Sequence, residues 1–157
     1  GGETLAAIAV ANAAGDVIAE DGEVLGGPHG DRGELLRSAE VIPNMPQLPS
    51  WALRPGQSTT LACVCTDAAL DKRGCGIVAR IASAGIARAV DPAFTPLDGD
   101  VVFCLAASGA VPPAAPGPAA SWSLTILGTV AATLTAAAIR DAVRQAGLRG
   151  APPSSGS

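Results

Sequence analysis

The stretch "RPGQSTTLACVCTDAAL" (residues 54–70) decides how the chain folds, because a loop ends and a strand begins inside it. A proline and a glycine mark the loop, whereas the run that starts at Thr59 is apolar and rich in β-prone side chains. We therefore predict a buried strand over residues 59–67. A Thr-Thr pair often begins an ordinary strand, but a hydroxyl residue at such a junction can also be where a chain cuts itself and creates a nucleophile.

Upstream of this junction, the sequence predicts a strand pair and then a long connection. The run "TLAAIAVANAAGDVIAE" (4–20) alternates like a β-hairpin, with Ile8, Val10 and Asn12 on one face and a Gly-Asp turn signal between its halves. The segment 43–58 contains four prolines and has no periodicity. We expect it to be an exposed, mobile connection.

Downstream of the junction, two helices and one more strand are predicted. A helical period covers residues 70–90, and "VVFCLAAS" (101–108) is a second apolar strand. The final helix is expected over residues 123–146. Its buried stripe is expected to contain Leu127, Val130, Leu134 and Ala138. This order of elements is typical of an α+β fold in which helices cover an apolar sheet.

Length and composition limit the function classes. A chain of 157 residues favours one domain, which we place at residues 1–149, followed by a Pro/Ser/Gly-rich tail (150–157) that we expect to be disordered. The net charge of −4 and the scattered basic residues argue against a nucleic-acid partner, because phosphate binding needs clustered Lys and Arg. The chain begins Gly-Gly-Glu without a signal peptide, so we expect a piece of a longer product.

The four cysteines and the single histidine raise the question of a metal site. Cys63 and Cys65 fall on one face of the predicted strand. Together with Cys75 and the single histidine, His29, they could be imagined as a zinc site, but their spacing matches no usual ligand pattern. We therefore interpret the cysteines as small buried hydrophobes in a reduced, cytoplasmic protein, and we expect no metal ligands among them.

A membrane span is an alternative for the last helix, because no charged residue occurs from Val101 to Ile139. Prolines interrupt this stretch, and the remaining segment 121–139 is close to the length of about 20 residues that a bilayer needs. Its bulky residues are nevertheless periodic, which favours a helix buried against a sheet. We expect no membrane partner.

Three features have residue types suited to catalysis. A threonine hydroxyl needs a base, and cleavage between Ser58 and Thr59 would supply one, the freed α-amine, whose ordinary pKa is about 7.7–8.0. Asp98 and Asp100 flank a glycine just before a strand, and such a pair either orients an amine or forms an ordinary Asp-Gly turn. Asn12 is either an oxyanion donor or part of a local turn.

Together these motifs resemble a known family. The run "STTLACVCTDAALDK…GIARAVDPAFTPLDGDVVFCLA" resembles the start of the β-subunit in the L-aminopeptidase/D-esterase (DmpA-type) family, which includes β-aminopeptidases and nylon-oligomer hydrolases. Upstream, "LAAIAVANAAGDVI" is similar to the hairpin of that family. The likeness spans most of residues 3–108 and, more weakly, the last helix.

The resemblance implies an aminopeptidase or amidase of the N-terminal-nucleophile class. Self-cleavage would separate Ser58 from Thr59, and Thr59 would then form an acyl-enzyme with its new amine as the base. Asp98 and Asp100 would position and tune the nucleophile, and Asn12 would line the pocket and donate toward the oxyanion. The implied substrate is a peptide or small amide, with neither metal nor organic cofactor.

The resemblance also implies an architecture. The family fold is an αββα sandwich, in which residues 1–58 would end the α-subunit-like part and residues 59–149 would form the β-subunit-like part. Its members assemble into oligomers, and their N-terminal half has no counterpart in this sequence. The alternative is a catalytically inactive or truncated member of the same fold, acting only as a structural or oligomeric fragment.

Overall fold

The computed structural model describes residues 2–29, 32–46, 58–107 and 117–148. Its elements are, in chain order, β1 (Leu5–Asn12), β2 (Asp16–Ile18), β3 (Val24–Gly26), α1 (Ser38–Val41) with a 3-10 turn over Ile42–Asn44, β4 (Thr59–Thr66), α2 (Lys72–Ala82), α3 (Ala84–Ala89), β5 (Val90–Asp91), β6 (Val101–Ala106) and α4 (Pro118–Leu148). This is the mixed α and β content that the sequence predicts. Most of the predicted connection and the whole of the predicted tail lie outside the described residues.

The main sheet contains three strands in the order β1-β4-β6. The strand predicted after the Thr-Thr junction is its centre: β4 pairs antiparallel with β1 and parallel with β6. The parallel pair is connected by α2 and α3, because parallel neighbours need a long crossover. The predicted strands over 59–67 and 101–108 are therefore confirmed, each within two residues of its observed end.

The hairpin predicted over residues 4–20 is wrong. Strand β1 pairs along its whole length with β4, whereas β2 pairs with β3 and β5 in a second, smaller sheet. Between them, Gly15 passes so close to the chain at Pro92 that an added Cβ would lie 2.2 Å from the Pro92 carbonyl oxygen. The Gly15-Asp16 turn signal does mark a change of direction, but the chain leaves the main sheet there instead of pairing back with β1.

The two faces of the main sheet have different surroundings. One face packs on α2 and α4 through fully buried side chains that include Val64, Val78 and Ile139. The other, which we call the open face, is apolar and exposed. Its large side chains expose between 41% and 69% of their area, and they are Ile8, Val10, Leu61, Phe103 and Leu105.

The long helix α4 turns its small residues inward. Leu127 is buried as predicted, but Val130, also expected in the buried stripe, is 42% exposed. Leu134 and Ala138, the other members of the predicted stripe, are half-buried. Apart from Leu127 and Ile139, the buried positions of the helix are small: Gly128, Ala131, Ala132, Thr135 and Ala136. Small residues allow a close crossing, since a Cβ on Gly85 of α3 would lie 2.3 Å from the Ala132 carbonyl oxygen. Length and composition alone would let α4 span a membrane, and this inner face packs on α2 and α3.

The helix predicted over residues 70–90 is two helices, with a break at Ser83. Asp71 begins the first of them as its N-cap, because its carboxylate accepts a hydrogen bond of 2.7 Å from the Gly74 amide. This contact compensates in part for Gly74 and Gly76, which both lie near the start of α2. After α3 and the short strand β5, the chain enters the loop before β6, which contains Asp98 and Asp100.

Candidate active site

The ends of three strands meet at one end of the main sheet and bring the predicted site residues together. Asn12, the last residue of β1, is paired in register with Thr59, the first residue of β4. Ser58 forms a parallel bridge with Asp98, just before β6. Paired residues point to the same side of a sheet, so Asn12 and Thr59 share the open face.

The carbonyl oxygen of Ser58 receives two hydrogen bonds. The Thr59 hydroxyl donates to it at 2.7 Å, and the Gly99 amide donates to it at 3.0 Å. A Cβ on Gly99 would lie 2.8 Å from Thr59 Oγ1, so a glycine is needed where the loop approaches this hydroxyl. The peptide bond between Ser58 and Thr59 is thus flanked by a hydroxyl and an amide donor.

Asp100 holds the loop against the start of β4. Its Oδ1 accepts a hydrogen bond of 2.7 Å from the Thr60 amide, and its Oδ2 accepts one of 3.1 Å from the Phe94 amide. Phe94 has a φ of 56°, a left-handed conformation that costs a non-glycine residue about 1–2 kcal/mol. The contact from Asp100 helps to hold that conformation. The described hydrogen bonds of Asp100 therefore go to two backbone amides, one of which belongs to the residue after the nucleophile candidate.

Asp98 has one oxygen that is bonded and one that is not. Its Oδ2 accepts hydrogen bonds from the Thr95 amide at 2.9 Å and from the Thr95 hydroxyl at 2.6 Å. Its Oδ1 is buried and has no hydrogen-bond partner among the described residues. A buried carboxylate oxygen without a donor is unfavourable, so such an atom is often explained by function.

Two groups of the candidate site are not among the residues predicted from the sequence. Thr95 is the first, and a hydroxyl residue three positions before an aspartate in a proline-bearing turn is the signal that could have identified it. The second is the amide of Gly99. It could not have been found in the same way, because its role depends on the register between two segments 40 residues apart.

A cavity of about 430 Å³ opens beside the junction. Asn12 and Ser58 both line it, and none of its lining residues in the described part of the chain is charged. Most of the other lining side chains are aliphatic, and they include Ala11, Val17, Val41, Ile42, Met45 and Val143. A pocket of this kind is suited to a small uncharged group next to the Ser58-Thr59 bond.

The cysteines lie apart from the site as free thiols. Cys65 is exposed, and Cys63, Cys75 and Cys104 are half-buried, so the prediction that all four are buried is wrong. Burial, followed by the nearby Cys75 thiol, raises the pKa of Cys104 to about 12. Burial, followed by Cys65, also raises the pKa of Cys63. Within the described ranges, no three His, Cys, Asp or Glu side chains are grouped so that they would hold a metal ion.

Comparison with known proteins identifies the family of the chain. The model of peptidase family S58 matches residues 1–151. The chain belongs to peptidase family S58. This is the DmpA-type family that the motifs resemble, so the predicted relationship is confirmed.

Curated relatives come from mycobacteria. Two are described as uncharacterized aminopeptidases, from Mycobacterium tuberculosis H37Rv and Mycobacterium bovis, and each is 38% identical over 160 residues that cover 99% of this chain. A third uncharacterized aminopeptidase, from Mycobacterium leprae, is 37% identical over 115 residues, covering 70% of this chain and 30% of that relative. The chain spans 46% of the length of the first two, which is less than half of either protein.

Proposed function

We propose that the complete protein is an amide hydrolase of the N-terminal-nucleophile class, an aminopeptidase or amidase with Thr59 as its nucleophile. One observation carries the proposal: the Thr59 hydroxyl and the Gly99 amide both donate to the carbonyl oxygen of Ser58, at 2.7 Å and 3.0 Å. A nucleophile on one side and an amide donor on the other are what cleavage of that carbonyl requires. Membership of a peptidase family supports the same reaction class.

Self-cleavage would begin when Thr59 Oγ1 attacks the carbonyl carbon of Ser58 through a five-membered ring. The negative charge on the former carbonyl oxygen would be stabilised by the Gly99 amide, which already donates to that atom. The C–N bond then breaks, the Thr59 nitrogen takes the proton from its own hydroxyl, and Ser58 is left as an ester on Thr59. One water molecule hydrolyses this ester, which gives a Ser58 carboxylate and a free Thr59 amine and hydroxyl.

The freed Thr59 would then act on substrates. Its amine takes the hydroxyl proton as Oγ1 attacks the substrate carbonyl, and it returns that proton to the leaving amine, so that an acyl-enzyme forms and is hydrolysed by water. Asp98 lies beside the preceding residue and has a buried oxygen available for the ammonium form of this amine. Asn12, paired with Thr59 in the sheet, is the side chain suited to donate toward the substrate oxyanion.

The rest of the protein would complete this site. Asn12 and Thr59 share the open face, whose large apolar side chains are left exposed by the described part of this chain. An apolar face of this extent needs a cover. We propose that the part of the protein beyond this chain provides a second sheet, which gives the αββα sandwich and lines the substrate pocket, and that the assembled protein is a cytoplasmic homo-oligomer.

The substrate would be a peptide or a small amide. The described residues that line the cavity beside Ser58 are uncharged and largely aliphatic, which supports a substrate group without charge at that position. No resident cofactor is required by the proposed steps, because the nucleophile, the base and the oxyanion donors are all groups of the chain. The competing hypothesis is an inert member of the fold, which would remain uncleaved.

The test is to express the full-length protein and to follow both self-cleavage and hydrolysis of a chromogenic amino-acid amide. We expect two fragments divided between Ser58 and Thr59, and we expect Thr59→Ala to abolish both the division and the hydrolysis. Thr60→Val is the matched control, since Thr60 is the adjacent threonine and its buried Oγ1 has no hydrogen-bond partner among the described residues. That variant should still be cleaved at the same bond.

Two results would contradict the proposal. One is a full-length wild-type chain that stays intact, which would favour the inert alternative. The other is a Thr59→Ala variant that keeps wild-type hydrolysis, which would show that another residue is the nucleophile. Loss of cleavage in Thr60→Val as well as in Thr59→Ala would also argue against a specific role for the Thr59 hydroxyl.

A further inference from the structure

In the loop before β6, the two carboxylate oxygens of Asp98 have different hydrogen-bond partners. Thr95 donates to Oδ2 twice, from its amide at 2.9 Å and from its hydroxyl at 2.6 Å. The turn is closed from the other side, because the Asp98 amide donates to the Thr95 carbonyl at 3.0 Å. Oδ1 is left buried and without a partner among the described residues. The loop therefore fixes the Asp98 carboxylate through Oδ2 and leaves Oδ1 available to accept a further hydrogen bond.

The hydroxyl of Thr95 is itself held in one orientation. The Leu97 amide donates to Thr95 Oγ1 at 3.2 Å, so this oxygen accepts from Leu97 while its proton is given to Asp98. A hydroxyl with both an acceptor and a donor partner has little freedom to rotate. Thr95 consequently acts as a fixed clamp on Asp98 and not as an exchangeable surface hydroxyl.

The clamped carboxylate lies next to the proposed reaction centre. Asp98 is bridged to Ser58, and the Gly99 amide after it donates to the Ser58 carbonyl oxygen at 3.0 Å. A shift of Asp98 would therefore disturb both the carboxylate next to Ser58 and the Gly99 amide that faces the scissile carbonyl. Both effects act on the same bond.

We propose that Thr95 is a positioning residue for the reaction: by holding Oδ2 of Asp98, it presents Oδ1 to the amine of Thr59. This inference rests on the proposed function of Thr59. When that amine takes the proton from Oγ1, it becomes an ammonium group, and the presented oxygen stabilises it. When the proton passes to the leaving amine of the substrate, the contact weakens again, and no proton is transferred to Asp98 itself.

The experiment uses the full-length protein with Thr95→Val, which keeps the shape and the amide but removes the hydroxyl, and Thr95→Ser, which keeps the hydroxyl. We expect Thr95→Val to lower kcat by between about 10- and 100-fold with little change in KM, since a misplacement of about 1 Å can cost that much. Thr95→Ser should restore kcat to within about threefold of the wild type. Thr133→Val on the exposed side of α4, whose hydroxyl bonds within its own helix, is the control and should match the wild type.

A second measurement separates positioning from general loop stability. If Thr95 acts through Asp98, adding Thr95→Val to an Asp98→Asn protein should slow self-cleavage and hydrolysis little further. Full additivity of the two losses would overturn the inference. Should Thr95→Val fail to fold, Thr95→Ala removes the same hydroxyl and allows the same comparison.

The outcomes distinguish this inference from the function on which it rests. A wild-type protein that neither cleaves itself nor hydrolyses amides would refute the proposed function. A wild-type protein that does both, together with folded Thr95→Val and Thr95→Ala variants of unchanged kcat, would refute the role of Thr95 alone.

Discussion

The two faces of the main sheet are built from similar residues but have opposite surroundings. On the helix-covered face, the side chains from β4 are buried between the sheet and its helices, and Val64 is fully buried. On the open face, equally apolar side chains such as Ile8 and Phe103 expose 69% and 55% of their area. Alternation along β4 separates these faces, and the candidate site lies at the end of the open one. Apolar composition therefore does not by itself tell which face is covered within this chain.

The largest expected effect is a difference in stability loss between two isoleucine-to-alanine substitutions, one on each side of the main sheet. Ile86 is fully buried in the helix layer, and Ile8 is 69% exposed on the open face. In the 157-residue chain, Ile86→Ala should lower the free energy of unfolding by about 2–5 kcal/mol, because it leaves a cavity. Ile8→Ala should cost about 1 kcal/mol or less, since little packing is lost. Urea denaturation of both variants measures the difference.

The same pair sharpens the comparison in the full-length protein. If the open face is covered there, Ile8→Ala should become costly, and its effect should approach the roughly 2–5 kcal/mol of a buried isoleucine. An Ile8→Ala protein that is equally stable in both lengths would show that the open face stays exposed, which would remove the proposed second sheet.

A smaller effect is expected where the helix layer is packed most closely. At Gly85 of α3, an added Cβ would lie 2.3 Å from the Ala132 carbonyl oxygen, and backbone atoms cannot move aside at little cost. Gly85→Ala should therefore destabilise the chain by about 1–3 kcal/mol. Gly76 of α2 is the matched control, because nothing lies within 4 Å of its added Cβ. Gly76→Ala should stabilise by up to about 1 kcal/mol through helix propensity. Equal melting temperatures for the two variants would contradict this account of the α3–α4 crossing.

The smallest expected effect is a pH dependence of stability at Cys104. Burial, with the nearby Cys75 thiol, raises the pKa of Cys104 to about 12, whereas an unfolded chain has a cysteine pKa of about 8.5. The native thiol therefore keeps its proton where the unfolded one loses it. This contribution to stability is complete below about pH 8.5 and is lost as the pH rises toward the native value. The free energy of unfolding should fall between pH 8 and pH 10, and less so in Cys104→Ala. An identical slope in both proteins would be the contrary result.

Local patterns predicted where most strands and helices lie but not how they pair. The apolar, β-prone run after Thr59 predicted β4, and the helical period over residues 70–90 predicted α2 and α3, although not their break at Ser83. The predicted hairpin failed because a turn signal reports a change of direction and not the identity of the next strand. Which strand pairs with β1 is decided by tertiary contacts with β4.

The phase of α4 was missed for a different physical reason. Assigning its bulky residues to the core placed Val130 inside, whereas the close crossing with α3 selects small residues such as Ala132. Hydrophobic periodicity treats bulk as a sign of burial, and this helix layer is built on close backbone approach instead. A glycine at the facing position of the partner helix is information that a single helical segment does not contain.

The predicted site residues lie together at one end of the main sheet. The order of the motifs along the chain identifies them more clearly than the chemistry of the single residues does. The sequence indicated Asn12, Thr59 and the acidic pair, and the sheet register brings them to one end. The different hydrogen bonds of Asp98 and Asp100 were not predictable, because they depend on which backbone amides the fold brings to each carboxylate. Their catalytic roles stay predictions.

The most direct test of the central claim is whether the mature protein carries a free amine and a free hydroxyl on adjacent carbons of Thr59. Periodate oxidises such an amino alcohol to an aldehyde only when the amine is free, so an internal threonine does not react. After periodate treatment of the full-length protein, a hydrazide probe should label a fragment whose mass corresponds to a chain starting at position 59. The Thr59→Ala protein should give no label. An unlabelled, uncleaved wild-type chain would contradict the account.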